Sequence, residues 1–261
     1  MSDKKEKFAR AGIATKGIVY CLMGGLAAMT AIGGTGGKTT GSSGIIEYIS
    51  NQKFGQILVA MVAVGLVGYV FYRLYQTFFA SLKDEDGAKE TVKRIGYFIS
   101  AVSYGFLTYH AFKIVTGSGG GGGQGKQGYI ADLLNKPFGQ IMVGIIGAVF
   151  IGYGIYQIYR VVSGDYKENL EKSALKDKIY KLLLNSGKVG YIARGTVLGL
   201  IGFFIVKAAW TANSSQVGGV SKAFDFLRSE GGTIVFLVVA LGLLGYGIFQ
   251  IVTARYKKLE I

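Results

Sequence analysis

Six long apolar runs alternate with charged or glycine-rich connections along the 261 residues. They extend from Ala11 to Ile32, Phe54 to Phe79, Ile95 to Val115, Phe138 to Val162, Gly190 to Ala212 and Thr233 to Ala254. A bilayer core about 30 Å thick takes roughly 20 mostly apolar helical residues to cross. A helix satisfies its own backbone hydrogen bonds, which lipid cannot do. Each run therefore predicts one transmembrane helix, and the fold class is all-α with six spans. A short amphipathic piece precedes every second run: Ile45, Ile46 and Ile49; then Tyr129, Ile130, Leu133 and Leu134; then Val220, Phe224 and Leu227. Their spacing predicts short helices lying at the outer interface, with a shallow re-entrant helix as the alternative. Pro137 stands where a helix begins, a position that tolerates it.

The runs repeat in pairs. Phe54-Gly55-Gln56 returns as Phe138-Gly139-Gln140 and, weakened, as Gly231-Gly232-Thr233. Gly68-Tyr69 returns as Gly152-Tyr153 and Gly245-Tyr246. The basic opening Ala9-Arg10-Ala11-Gly12 is echoed by Lys93-Arg94-Ile95-Gly96 and Lys188-Val189-Gly190, Tyr20 matches Tyr104, and Lys16-Gly17 matches Arg194-Gly195. The chain divides into hairpin repeats over 1–80 and 81–163, and a charged linker helix with a third hairpin over 164–261. Two spans per repeat insert all three copies in the same direction, so they are parallel repeats, arranged in a pseudo-threefold ring. This plan (an Ala-Arg-x-Gly opening, a Gly-rich loop, a Phe-Gly-Gln restart and a Gly-Tyr return helix, three times) resembles the bacterial membrane family known as domain of unknown function 1206. The resemblance covers nearly the whole chain, the third copy departing most. It implies a six-helix bacterial membrane protein and brings no activity or functional residues with it.

Charge adds orientation. The net charge is +14, which in a soluble chain would point to nucleic acid. Here the basic residues flank the apolar runs. They crowd the N-terminus (Lys4, Lys5, Lys7, Arg10), the second connection (Lys83, Lys89, Lys93, Arg94), the fourth (six lysines from Lys167 to Lys188) and the tail (Arg255, Lys257, Lys258). The other three loops hold two each: Lys38 and Lys53, Lys126 and Lys136, Lys222 and Arg228. By the positive-inside rule both termini are cytoplasmic in a bacterial inner membrane. The first run is a helix and not a cleaved leader, because the same segment recurs twice later. The 42 glycines suit closely packed helices. Cys21, the lone cysteine, excludes an intramolecular disulfide and reads as a small apolar residue.

Candidate chemistry is sparse. The six runs contain no Asp or Glu, which argues against a carboxylate-coupled pump. The return helices carry Tyr69 with Arg73, Tyr153 with Gln157 and Tyr246 with Gln250, each pair four residues apart and so on one face. In a ring these side chains would line a polar path, bind an anion or headgroup, or form interhelical packing contacts. His110, Lys113 and Lys207 are the candidate outer basic residues: His110 reads as a helix-packing residue or else a proton sensor, and the two lysines either ring an anion-attracting entrance or snorkel to the outer surface. A lone histidine makes no metal site. The Gly-Tyr-Gly triplets at 152–154 and 245–247 sit within helices, whereas an ion filter needs extended loop carbonyls. Gly119 to Gly123 lacks the Lys-Ser/Thr ending of a phosphate loop and reads as a linker. The segment from Tyr166 to Asn185 is either a lysine-rich helix on anionic lipid or an extension of the neighbouring spans.

No enzyme, cofactor or metal is expected, since no acid, base or nucleophile pair is visible. Expected partners are the lipid bilayer, anionic lipids at the cytoplasmic face, and a second copy or another membrane protein; nucleic acid is not among them. The leading expectation is a structural or accessory membrane subunit, and the alternative a small-ion or anion channel along the pseudo-threefold axis.

Overall fold

A computed structural model describes residues 2–34, 37, 39–79, 87–117, 126–169 and 177–256. Among them the regular elements are α1 (Ser2–Ala31), α2 (Ser42–Ser50), α3 (Gly55–Phe78), α4 (Gly87–Val115), α5 (Lys126–Leu134), α6 (Gly139–Val162), α7 (Asp177–Trp210) and α8 (Val220–Tyr256). Short 3-10 turns lie at Asp165–Asn169 and Ser214–Gln216. Helices α1, α3, α6, α7 and α8 are long and apolar enough to cross a membrane. α4 is one residue shorter than α1, but Ser100, Ser103, Thr108, His110 and three tyrosines interrupt its apolar run.

The helices overshoot the apolar runs, because the charged flanks are helix formers too. α7 shows this best: from Asp177 it continues unbroken into the fifth run. The described part of the 166–185 segment is therefore a 3-10 turn followed by an extension of the span. Leu170 and Ala174 of that segment, and the Gly119–Gly123 linker, lie outside the described residues.

The Phe-Gly-Gln restart has a geometric cause. Phe54 and Phe138 take left-handed backbone angles (φ 63° and 61°) and cap α3 and α6. At Gly55 and Gly139 carbonyls of the preceding turn occupy the place of a Cβ, so only glycine fits. The third copy has no such phenylalanine. There α8 runs on through a kink at Gly232 (φ 76°, ψ 174°), a conformation open to glycine.

The short amphipathic pieces turn their apolar residues onto protein. Ile45, Ile46 and Ile49 of α2 are buried against α1, α3 and α4, and Phe224 and Leu227 of α8 are buried likewise. Ile130, Leu133 and Leu134 of α5 are half-buried.

The long helices pack α3 on α4, α6 on α7 and α8 on α1, with α1 also on α3 and α7 also on α8. Glycine permits the closest of these contacts: a Cβ on Gly154 or on Gly195 would lie 2.7 Å from the other's carbonyl oxygen, nearer than packed atoms tolerate. At the bundle end away from the chain termini the centre is filled by Met23, Ile45, Leu66, Phe236 and Leu243, all fully buried.

Candidate functional site

Below that apolar fill, toward the termini, the centre turns polar. Lys16, Ser100 and Arg194 occupy the same place on α1, α4 and α7, each following Arg10, Arg94 or Lys188 by the same interval. Tyr69, Tyr153 and Tyr246 occupy the matching place on the return helices. Lys16 is wholly buried, and its Nζ donates to the hydroxyls of Tyr69 (3.0 Å) and Tyr246 (2.8 Å). It also lies 4.9, 5.8 and 5.1 Å from the ring centres of Tyr69, Tyr104 and Tyr246. A buried ammonium is costly. Phenol oxygens and ring faces offset part of that cost, each cation–π contact contributing about 0.5–2 kcal/mol.

The Tyr69 hydroxyl is saturated. It accepts from Lys16 and from Arg73 Nε (2.8 Å), so its own proton goes to Ser100 Oγ, 3.1 Å away. Arg73 also donates to Gln76 Oε1 (2.7 Å), and Gln76 Nε2 in turn donates to the Tyr72 hydroxyl (3.0 Å). In the third repeat Gln250 Nε2 donates to the Tyr246 hydroxyl. Arg194, also buried, donates from Nε to the Tyr20 hydroxyl (3.1 Å) and stands over the rings of Tyr20, Tyr153 and Tyr246.

The second repeat departs from the other two. Gln157 is buried yet makes no hydrogen bond among the described residues, and its Oε1 has no partner. The Tyr153 hydroxyl is likewise unpaired among them. In the third repeat the helices of the hairpin touch backbone to backbone at Gly190, where a Cβ would lie 2.6 Å from the Tyr246 Cα; Gly12 meets the Tyr69 backbone in the same way. At Gly96 it is the ring of Tyr153, not the α6 backbone, that fills the space, 2.9 Å from the place of a Cβ. The α4 and α6 backbones consequently stand apart.

Of the six return-helix residues, then, Tyr69, Arg73, Tyr246 and Gln250 join one hydrogen-bonded network through Lys16. Tyr153 meets it through the Arg194 guanidinium, and Gln157 stays outside it. Lys16, Ser100 and Arg194 join the network without being among the candidate site residues of the sequence. The signal for two of them was the Lys16/Arg194 match between repeats. The rim residues do not form one cluster. His110 Nε2 lies 3.3 Å from Glu47 Oε1, close enough for ion pairing but not aligned as a hydrogen bond. Lys113 lies over the Tyr109 ring at 5.3 Å, and Lys207 is exposed. Just beyond α6, burial beside Tyr180 pushes the Tyr166 phenol above its ordinary pKa, so it stays neutral against Tyr191. No group of three or more potential metal ligands occurs among the described residues.

Comparison with known proteins agrees with the repeat pattern. The family model described as Domain of Unknown Function (DUF1206) matches three times, at residues 11–80, 95–164 and 189–257. A Bacillus subtilis (strain 168) protein described as uncharacterised protein YxxB is 31% identical over 259 residues, covering 97% of this chain and 92% of that protein. No solved structure matches.

Proposed function

We propose, for a chain that belongs to the family Domain of Unknown Function (DUF1206), a non-enzymatic role as a structural or accessory subunit of the bacterial inner membrane that binds lipid or protein partners. In this reading α4 is the sixth span, both termini are cytoplasmic, and the repeats form a pseudo-threefold ring. Three kinds of contact support the ring, the first two found at all three junctions and the third at two. The return helix of each repeat packs on the first helix of the next: α3 on α4, α6 on α7, α8 on α1. Lys16, Ser100 and Arg194 each touch the tyrosine of the preceding repeat: Tyr246, Tyr69 and Tyr153. Arg10, paired with Glu6, donates to the Ala254 and Arg255 carbonyls; Arg94, paired with Glu90, donates to the Thr77 carbonyl.

The observation that carries the reading is the closed centre. The polar network is confined to one half of the bundle's depth, and the other half is filled by fully buried Met23, Ile45, Leu66, Phe236 and Leu243. Apolar side chains packed across the axis would have to part and wet before an ion could pass. Proteoliposomes holding the purified chain are expected to pass ions, small anions and water no faster than empty liposomes. Flux that disappears on combining Tyr153→Phe with Gln157→Leu would overturn the closed-centre reading in favour of a channel.

A further inference from the structure

We infer that the outward groove between α7 and α8 is a binding site for one anionic phospholipid, its acyl chain in the groove and its phosphate against Lys178, Lys181 and Arg255. The groove holds about 380 Å³. Val189 lines it from α7, Val238, Leu241 and Gly245 from α8, and Asn185 with Ser186 at the end toward the chain termini. One small residue keeps it open. In the first hairpin the ring of Phe8 lies 3.2 Å from the place of a Cβ on Gly68 and covers it. Ser186 stands at the matching place in the third hairpin, four residues before Gly190 as Phe8 is before Gly12. Gly245, the counterpart of Gly68, would there meet the Ser186 carbonyl oxygen and Cβ at 3.4 and 3.7 Å, ordinary contact distances. The Ser186 hydroxyl does not reach across; it donates back to the Leu182 carbonyl (3.0 Å).

The order of chemistry along the groove is that of a glycerophospholipid. Val238 and Leu241, both exposed, lie farthest from the termini and suit an acyl chain. The Asn185 carboxamide comes next, exposed and without a hydrogen bond among the described residues, where an ester carbonyl would accept from it. Cations follow. Lys181 and Lys178, both exposed, precede Asn185 by four and seven residues and so continue its row on α7. Arg255, also exposed, continues the row of Leu241 and Ile248 on α8 at seven-residue intervals. Gly190 meets Tyr246 in the antiparallel packing of the two helices. Arg255, nine residues past Tyr246, therefore stands level with Lys181, nine before Gly190. Arg255 also directly follows the sixth apolar run, at the depth of the lipid phosphates. Among the described acidic residues near this end, Asp177 opens α7, where the helix dipole favours it. Glu6 is held by Arg10, and Asp165 is buried in the turn after α6. The flanking stretches 170–176 and 257–261 each carry two lysines and one glutamate, so they add positive charge to this end of the chain.

The inference rests on the lipid-binding part of the proposed role, and its test is separate from the flux measurement. The full chain, delipidated in mild detergent, is titrated with short-chain phosphatidylglycerol and, separately, with phosphatidylcholine of the same chain length. Binding is read from the rise in unfolding temperature. Saturable stabilisation is expected, with phosphatidylglycerol bound about tenfold more tightly than phosphatidylcholine. Ser186→Phe, which gives the third hairpin the ring that the first one carries, is expected to weaken both about tenfold by filling the groove. Gly245→Leu fills it from the other helix and serves if Ser186→Phe does not fold. Lys178→Gln, Lys181→Gln and Arg255→Gln combined are expected to abolish the preference for phosphatidylglycerol, and exposed Lys207→Gln at the far end to leave it unchanged. Equal affinity for the two lipids, or phosphatidylglycerol binding unaltered by the groove and the charge variants alike, overturns the site. In the latter case lipid binding itself stands and lies elsewhere on the protein. Stabilisation by neither lipid sinks the lipid-binding reading together with the site, and the closed centre still rests on the flux measurement.

Discussion

Lys16 on α1 donates to the hydroxyl of Tyr69 on α3 across 3.0 Å, and it does so with neither side chain exposed. That phenol holds two cations and a serine together, whereas the Tyr153 hydroxyl at the matching place holds nothing among the described residues. The two tyrosines are equivalent in sequence and unequal in structure, so their removal should have unequal effects. Tyr69→Phe strips an acceptor from both Lys16 and Arg73 and is expected to destabilise the fold by about 3 kcal/mol. Tyr153→Phe should stay within about 0.5 kcal/mol. Thermal unfolding in detergent, followed by far-ultraviolet circular dichroism, measures both; equal losses would show that the repeats are not inequivalent in this way.

Replacing Lys16 itself should be milder than replacing its acceptor. Lys16→Met removes the buried charge together with its desolvation penalty, and both phenols keep other donors: Arg73 for Tyr69 and Gln250 for Tyr246. A buried charge exchanged for an apolar side chain of similar length is often neutral or stabilising. The expected change is within about 1 kcal/mol of wild type. A loss as large as that of Tyr69→Phe would mean that the ammonium, and not the phenol, organises the centre.

The apolar runs were sufficient to read where the long helices lie, and for α1, α3, α6, α7 and α8 that they are long and apolar enough to span. The repeats were sufficient to pair Tyr69 with Arg73 and Tyr246 with Gln250, since four-residue spacing is a local property of one helix. The rest depended on packing between helices. Lys16 stands close after the start of its run, where a long cation ordinarily reaches back to water. Only the closing of α8 onto α1 puts Tyr246 beside it and leaves no route out. The inequivalence of Tyr153 is likewise invisible along the chain, because its motif is as good as the other two and the difference lies in how far α6 stands from α4. The Glu47–His110 contact needed α2 to fold onto α4, which an amphipathic pattern alone does not specify.

Glycine tests the packing directly. At Gly190 a methyl group would meet the Tyr246 backbone at 2.6 Å, and neither helix can yield without breaking its neighbours' contacts. Gly190→Ala is expected to cost about 2 kcal/mol. Gly152 has nothing within 4 Å of the place of a Cβ, and alanine is the better helix former. Gly152→Ala should therefore be neutral or stabilising by up to about 1 kcal/mol. The same unfolding measurement separates them, and similar losses at both positions would count against the close α7–α8 approach.

Orientation can be read from one cysteine at a time. Cys21→Ala gives a thiol-free background, since Cys21 is the chain's lone cysteine. Lys207 and Arg255 are both exposed, and they lie at opposite ends of the bundle, near the ends of α7 and α8. With the termini cytoplasmic, a membrane-impermeant maleimide added to intact cells should label Lys207→Cys and spare Arg255→Cys, both reacting once the cells are opened. The charge pattern makes the reverse labelling costly: it would place the lysine-rich N-terminus and the second and fourth connections outside, against the positive-inside rule.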